Sequence, residues 1–144
     1  MKTLLLLVVV VAFGLLQAHG ALWNYGSMIG KVVGKKAIFN YSRYGCHCGF
    51  GGKGTPKDAT DQCCFQRDCC YRRLREEGCR TKLVRYRFDY KENQVTCVNQ
   101  DSCKKKLCEC DKAAVLCFKE NLNSYNQTYR FYSRRGCKGK APQC

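Results

Sequence analysis

The 144-residue chain is short of acid: 11 Asp and Glu stand against 26 Lys and Arg, a formal charge of +15. Histidine is scarcer still, with only His19 and His47, so few side chains can take up a proton near neutral pH. There is one tryptophan, Trp23. No Pro/Ser-rich linker, internal repeat or low-complexity tract divides the chain, which argues against several folded units. The single extended apolar run, residues 4–16, is too short to span a bilayer. With Lys2 ahead of it and the small residues Ala18 and Gly20 behind, it reads as a secretory leader. The expected organisation is a signal peptide over residues 1–20 and one domain over residues 21–144. Loss of Lys2 with the leader lowers the charge to +14.

Cysteine is abundant. All 14 cysteines lie beyond residue 20, and so dense an even count behind a leader implies a disulfide framework formed in an oxidising compartment. A zinc ribbon is the competing reading. The adjacent pairs Cys63/Cys64 and Cys69/Cys70 suit bridges diverging from a helix better than one tetrahedral site. The spacing leaves the connectivity open.

The positive charge needs a partner. Anionic lipid surfaces, sulfated glycans and nucleic acid each release counterions to basic side chains. Solvated charge is the plainer reading of Lys104-Lys105-Lys106, although it explains the whole excess poorly. No recognised nucleic-acid motif accompanies the charge, so nucleic acid is an unlikely partner.

Leu22, Tyr25, Ile29, Val32 and Val33 recur at helical spacing and predict a short amphipathic helix over residues 21–33. Trp23 lies off that stripe, either as a half-buried core residue or as an anchor among lipid headgroups. Asp58 opens a helix that Gly78 ends. Alternation through Tyr86, Phe88 and Tyr90, then Val95 and Cys97 after a polar turn, predicts a two-strand hairpin. A second long helix is expected from about Ser102 to Asn121, with Cys103, Cys110, Asp111, Ala114 and Cys117 on one side. Residues 125–144 read as irregular and basic. Asn40-Tyr41-Ser42 and Asn126-Gln127-Thr128 match the N-glycosylation sequon.

Two stretches carry the chemistry. In Asp61-Gln62-Cys63-Cys64-Phe65-Gln66-Arg67-Asp68-Cys69-Cys70-Tyr71, the residues Cys64, Arg67, Asp68 and Tyr71 fall on one helical face. Upstream, Tyr44-Gly45-Cys46-His47-Cys48-Gly49-Phe50-Gly51-Gly52-Lys53-Gly54 is a glycine-rich loop whose carbonyls can turn inward as oxygen ligands for a hard cation. Together these motifs resemble the secreted phospholipase A2 family, group II, over essentially all of residues 21–144.

The resemblance implies a mainly α, disulfide-rich fold. It has two antiparallel long helices, an N-terminal helix, a calcium-binding loop and a small β-hairpin. It implies bridges Cys46–Cys137, Cys48–Cys64, Cys63–Cys117, Cys69–Cys144, Cys70–Cys110, Cys79–Cys103 and Cys97–Cys108. Ca²⁺ would be held by the carbonyls of His47, Gly49 and Gly51 and the carboxylate of Asp68. Leu22, Tyr25 and Ile29 would line a substrate channel, and Leu22 and Trp23 would face the membrane.

The implied reaction is hydrolysis of the sn-2 ester of glycerophospholipids. A histidine takes water's proton, and an aspartate, here Asp111, orients it with Tyr71 and Tyr86. The histidine position holds Arg67. A guanidinium stays charged, with five donors and no acceptor, and cannot act as a base. His47, the one histidine beyond the leader, is expected to point away from the cleft. Arg67 should also pair with a carboxylate, lower its pKa and weaken calcium binding. Two functions follow. One is a secreted phospholipase A2 with impaired hydrolysis at anionic membranes. The other is a non-catalytic cationic binder of lipid, heparan-type glycans or a cell-surface receptor.

Overall fold

A computed structural model describes the chain apart from Phe50 and Asn99, and for residues 13–21 the backbone alone. Phe50 of the glycine-rich motif and the side chains of Ala18 and His19 therefore lie outside the described residues. Helix α1 spans Lys2–Val32. It is longer than the expected helix over residues 21–33, because the good helix formers of the leader continue the same backbone without a proline break. From Leu4 to Val11 its apolar side chains are all more than half exposed, so the first part of α1 packs on nothing. No described helix is long and apolar enough to cross a membrane.

Helix α2, Ala37–Ser42, has no counterpart in the sequence reading. Six residues are too few to show a helical period. The segment is held instead by tertiary contact, Tyr41 stacking on Phe118 at 4.1 Å with the rings 10° from parallel. Helices α3, Ala59–Glu76, and α4, Ser102–Glu120, form the central layer. Asp58 caps α3, its carboxylate accepting from the Asp61 N–H, and Asp101 caps α4 by accepting from the Lys104 N–H. Cys63 and Cys70 of α3 bridge Cys117 and Cys110 of α4, so rising positions on one helix meet falling positions on the other and the pair is antiparallel.

Strands β1, Phe88–Lys91, and β2, Gln94–Cys97, pair antiparallel with Phe88 opposite Cys97 and Lys91 opposite Gln94. Glu92 and Asn93 turn the hairpin at φ of 52° and 61°, the conformation of a two-residue primed turn. Cys97–Cys108 ties the hairpin to α4. Residues 125–144 are not wholly irregular: two 3₁₀ turns, Gln127–Tyr129 and Arg134–Gly136, fall among them, and a third, Leu122–Ser124, precedes them.

The remaining bridges are Cys46–Cys137, Cys48–Cys64, Cys69–Cys144 and Cys79–Cys103. All seven pairs match those the resemblance implies, and no cysteine is left free for zinc. The core gathers Met28, Ile29 and Val32 of α1, Leu74 of α3, and Leu107, Val115 and Phe118 of α4. Each such side chain contributes about 1.5–3 kcal/mol by leaving water. Trp23 is 72% exposed and Leu22 48%, so the core reading of Trp23 is set aside.

Candidate functional site

The site forms where α1, α3, α4 and the segment before β1 converge on Asp111, whose side chain is fully buried. Arg67 Nε donates to Asp111 Oδ1 at 2.8 Å, and Tyr71 Oη donates to the same oxygen at 2.6 Å. Tyr86 Oη donates to Oδ2 at 2.6 Å. Arg67 Nη2 donates to Tyr71 Oη at 2.8 Å, which closes a three-membered network around Oδ1. Tyr86 reaches the site because its N–H donates to Asn24 Oδ1 of α1, just ahead of a hairpin stapled to α4.

The guanidinium lies 3.6 Å from the centre of the Tyr25 ring and 4.2 Å from that of Tyr71. Two aromatic faces and a carboxylate thus compensate a cation whose side chain is only 17% exposed. Cation–π contact in so dry a setting is worth roughly 2 kcal/mol. Burial opposes the charge on Arg67, but Asp111, Tyr25 and Tyr71 outweigh it and hold the pKa above the ordinary arginine value. Burial, reinforced by Asp111, pushes the phenols of Tyr71 and Tyr86 well above their usual range. Every titratable group in contact with Asp111 is therefore a proton holder, and the described contacts contain no neutral base.

The glycine-rich loop is fixed by a residue to which the sequence reading gave no role. Asp61, fully buried in the first turn of α3, accepts from Cys46 N–H and Lys57 N–H through Oδ2 and from His47 N–H through Oδ1, each at 2.8 Å. Gly45 at φ 58° passes so close that a Cβ would strike this carboxylate. Tyr44 Oη donates to Asp58 Oδ2 at 2.5 Å and ties the loop to the same helix end. The one signal for this in the sequence is Asp61 three residues after a capping aspartate, which by itself reads as ordinary helix N-terminal charge.

His47 is buried, its Nε2 2.9 Å from the Gly54 carbonyl and its ring edge-on to Phe65. A small cavity of about 20 Å³, room for one water-sized occupant, is lined by His47, Gly49, Arg67, Asp68 and Tyr25 among others. Gly51 joins His47, Asp68 and Tyr71 in lining a neighbouring cleft of about 670 Å³, so His47 borders the cleft rather than lying away from it as expected.

Among the described residues the Asp68 carboxylate makes no hydrogen bond or ion pair, and the carbonyls of His47, Gly49 and Gly51 accept no hydrogen bond. No cluster of three His, Cys, Asp or Glu residues able to hold a metal occurs among the described residues. The donor set is therefore one carboxylate with unengaged carbonyl oxygens, and that chemistry fits a hard cation. The carboxylate with which Arg67 pairs is that of Asp111, and burial raises the Asp68 pKa against the opposing pull of Arg67, His47, Arg75 and Arg72. Of the expected channel residues, Tyr25 lines the small cavity. Ile29 is buried in the core, and Leu22 stands exposed.

The phospholipase A2 family model matches residues 22–130. The chain belongs to the phospholipase A2 family. It is 55% identical to the membrane-associated phospholipase A2 of Homo sapiens over 144 residues, covering all of both chains. It is 57% identical to the membrane-associated enzyme of Cavia porcellus over 145 residues, again covering both in full. A group IID secretory phospholipase A2 of Mus musculus is 47% identical over 132 residues, covering 91% of this chain and 92% of that one. In this group II-like phospholipase A2, Arg67 enters the described network only as a donor.

Proposed function

We propose that this chain is a secreted phospholipase A2-type protein that works at anionic phospholipid surfaces and hydrolyses the sn-2 ester of glycerophospholipids at a strongly reduced rate. The observation that carries this reading is the Arg67–Asp111 pair. Arg67 occupies the place from which a base would take water's proton, and its guanidinium has no lone pair to offer. Asp111 is a poor substitute, since it is fully buried, accepts three hydrogen bonds already and is held as the counter-ion of Arg67. Loss of general-base catalysis costs about 10²–10⁴-fold.

The carbonyls of His47, Gly49 and Gly51 and the Asp68 carboxylate are the residues that would hold Ca²⁺. When bound, calcium supplies a Lewis acid that polarises the ester carbonyl. Asp61 keeps the loop in register with Asp68 on the same helix, while Arg67 beside it lowers the affinity for a divalent cation. Trp23 and Leu22 present apolar surface beside a chain of +15 formal charge, which suits peripheral binding to an anionic bilayer. The relatives named membrane-associated and secretory support an extracellular, membrane-surface setting.

A second reading rests on the same arginine: a non-catalytic cationic binder of anionic lipid, heparan-type glycans or a cell-surface receptor. One experiment separates the two. Fatty-acid release from anionic vesicles, with calcium and with chelator, is compared between the chain and Arg67→His. Slow calcium-dependent release that the reversion raises supports the weakened enzyme. No release above background, with salt-sensitive vesicle binding intact, supports the binder, and release as fast as the reversion's defeats both.

A further inference from the structure

The two sequons lie in different backbones, and the difference decides which of them can carry sugar. Asn40 sits inside α2, where residues two apart point about 200° apart around the axis and do not face each other. Between them Tyr41 is buried against Phe118, and the Ser42 hydroxyl is engaged with the Phe39 carbonyl at 3.0 Å. The Asn40 carbonyl accepts from Tyr125 Oη at 2.9 Å. Asn40 itself is only partly exposed, and the sequon is held in a packed helix with its hydroxyl and backbone engaged.

Asn126, Gln127 and Thr128 are all exposed. Asn126 Oδ1 accepts from the Thr128 N–H at 2.9 Å, a closed Asx turn in which amide and hydroxyl residue are drawn to one side. Its backbone N–H donates to Tyr44 Oη at 2.9 Å, so the turn is anchored through the backbone while the residue itself stays exposed. The geometry points to Asn126 as an N-glycan acceptor of this chain, with Asn40 unmodified. The donor is a lipid-diphosphate-linked oligosaccharide. Asn126 Nδ2 attacks the anomeric carbon, the N–C bond forms as the C–O bond to diphosphate breaks, and the amide proton leaves to base with the lipid diphosphate as leaving group. The inference rests on passage through the secretory compartment, and the Asx turn singles out which sequon meets the transferase's product in a fold that tolerates it.

The full chain is expressed in a eukaryotic secretory cell line, and its intact mass is compared before and after peptide-N-glycosidase treatment. Expected is a hexose-containing mass loss for the parent and for Asn40→Gln, and none for Asn126→Gln or Thr128→Ala. Thr128→Ala keeps the Asn126 side chain, and Thr128→Ser restores the hydroxyl and with it the shift. Together they separate loss of the acceptor motif from loss of fold. Parent protein in the medium without glycan overturns the site, as does a shift that survives Asn126→Gln and vanishes in Asn40→Gln. A chain found only inside cells, with its first twenty residues attached and no glycan, overturns the secretory reading and the site together.

Discussion

Arg67 Nε rests 2.8 Å from Asp111 Oδ1, and the same oxygen accepts the Tyr71 hydroxyl. An imidazole N–H could fill the same donor role toward Asp111. Arginine makes the half of that interaction that holds α3 to α4 and lacks the half that would accept a proton. The guanidinium also lies over the rings of Tyr25 and Tyr71, so the side chain is seated without unpaired charge. On the proposed reading, arginine at this position is mild for folding and severe for proton transfer.

Restoring the acceptor should restore chemistry. Arg67→His is expected to raise calcium-dependent fatty-acid release from anionic vesicles by about 10²–10⁴-fold. Vesicle affinity should change little, because the exposed basic residues and Trp23 are untouched. An unchanged rate in a folded, vesicle-bound reversion would place the defect elsewhere.

Removing the cation without replacing its donor should cost stability. Arg67→Met leaves Asp111 buried with only the two tyrosine hydroxyls, and breaking a buried pair at one partner costs on the order of 3 kcal/mol. Denaturant midpoints with the bridges intact would measure it. The double variant Arg67→Met/Asp111→Asn should recover part of the loss, since it leaves no unpaired charge. Strict additivity would mean the pair is not coupled.

Much of this architecture can be read from the chain because cysteines and caps are local marks. Asp58 opens α3, Lys91-Glu92-Asn93 turns the hairpin, and paired cysteines on two periodic segments set α3 against α4. What escapes reading depends on contacts between distant residues. Helix α2 is too short for periodicity and is fixed by Tyr41 on Phe118. Asp61 looks like helix charge until the loop folds back on it, and Tyr25 looks like core until Arg67 lies on its face. The sign of the Asp68 shift belongs with these, because burial outweighs the adjacent cation and raises it, and burial is not visible from neighbours in sequence.

That sign makes a pH prediction for the metal-free protein. A carboxyl raised by burial holds its proton more tightly folded than unfolded, so its contribution falls as pH climbs from the ordinary value of 3.8 through the folded one. Asp68→Asn removes this fall. In chelator at neutral pH the variant should be more stable than the parent, with the difference vanishing in acid. Added calcium should stabilise the parent and leave the variant unmoved. Denaturant midpoints across that range test both halves, and equal calcium response in the two proteins would remove Asp68 from the metal site.

The tyrosines predict the opposite flank. Burial raises Tyr25, Tyr41, Tyr44, Tyr71, Tyr86 and Tyr125 above the ordinary 10.0, Tyr41 to about 12. Their contribution is complete below that ordinary value and is lost as pH rises toward the folded one, since the unfolded chain releases phenolic protons first. Tyr25, Tyr71 and Tyr86, the most enclosed of them, each remove up to roughly 1.4 kcal/mol per pH unit across the window. Tyr71 and Tyr86 cannot ionise beside Asp111 without two negative groups sharing one dry site, so phenolate absorbance should appear together with unfolding. Smooth titration of these phenols in a chain whose near-ultraviolet circular dichroism stays native would mean that the Asp111 network is open to water.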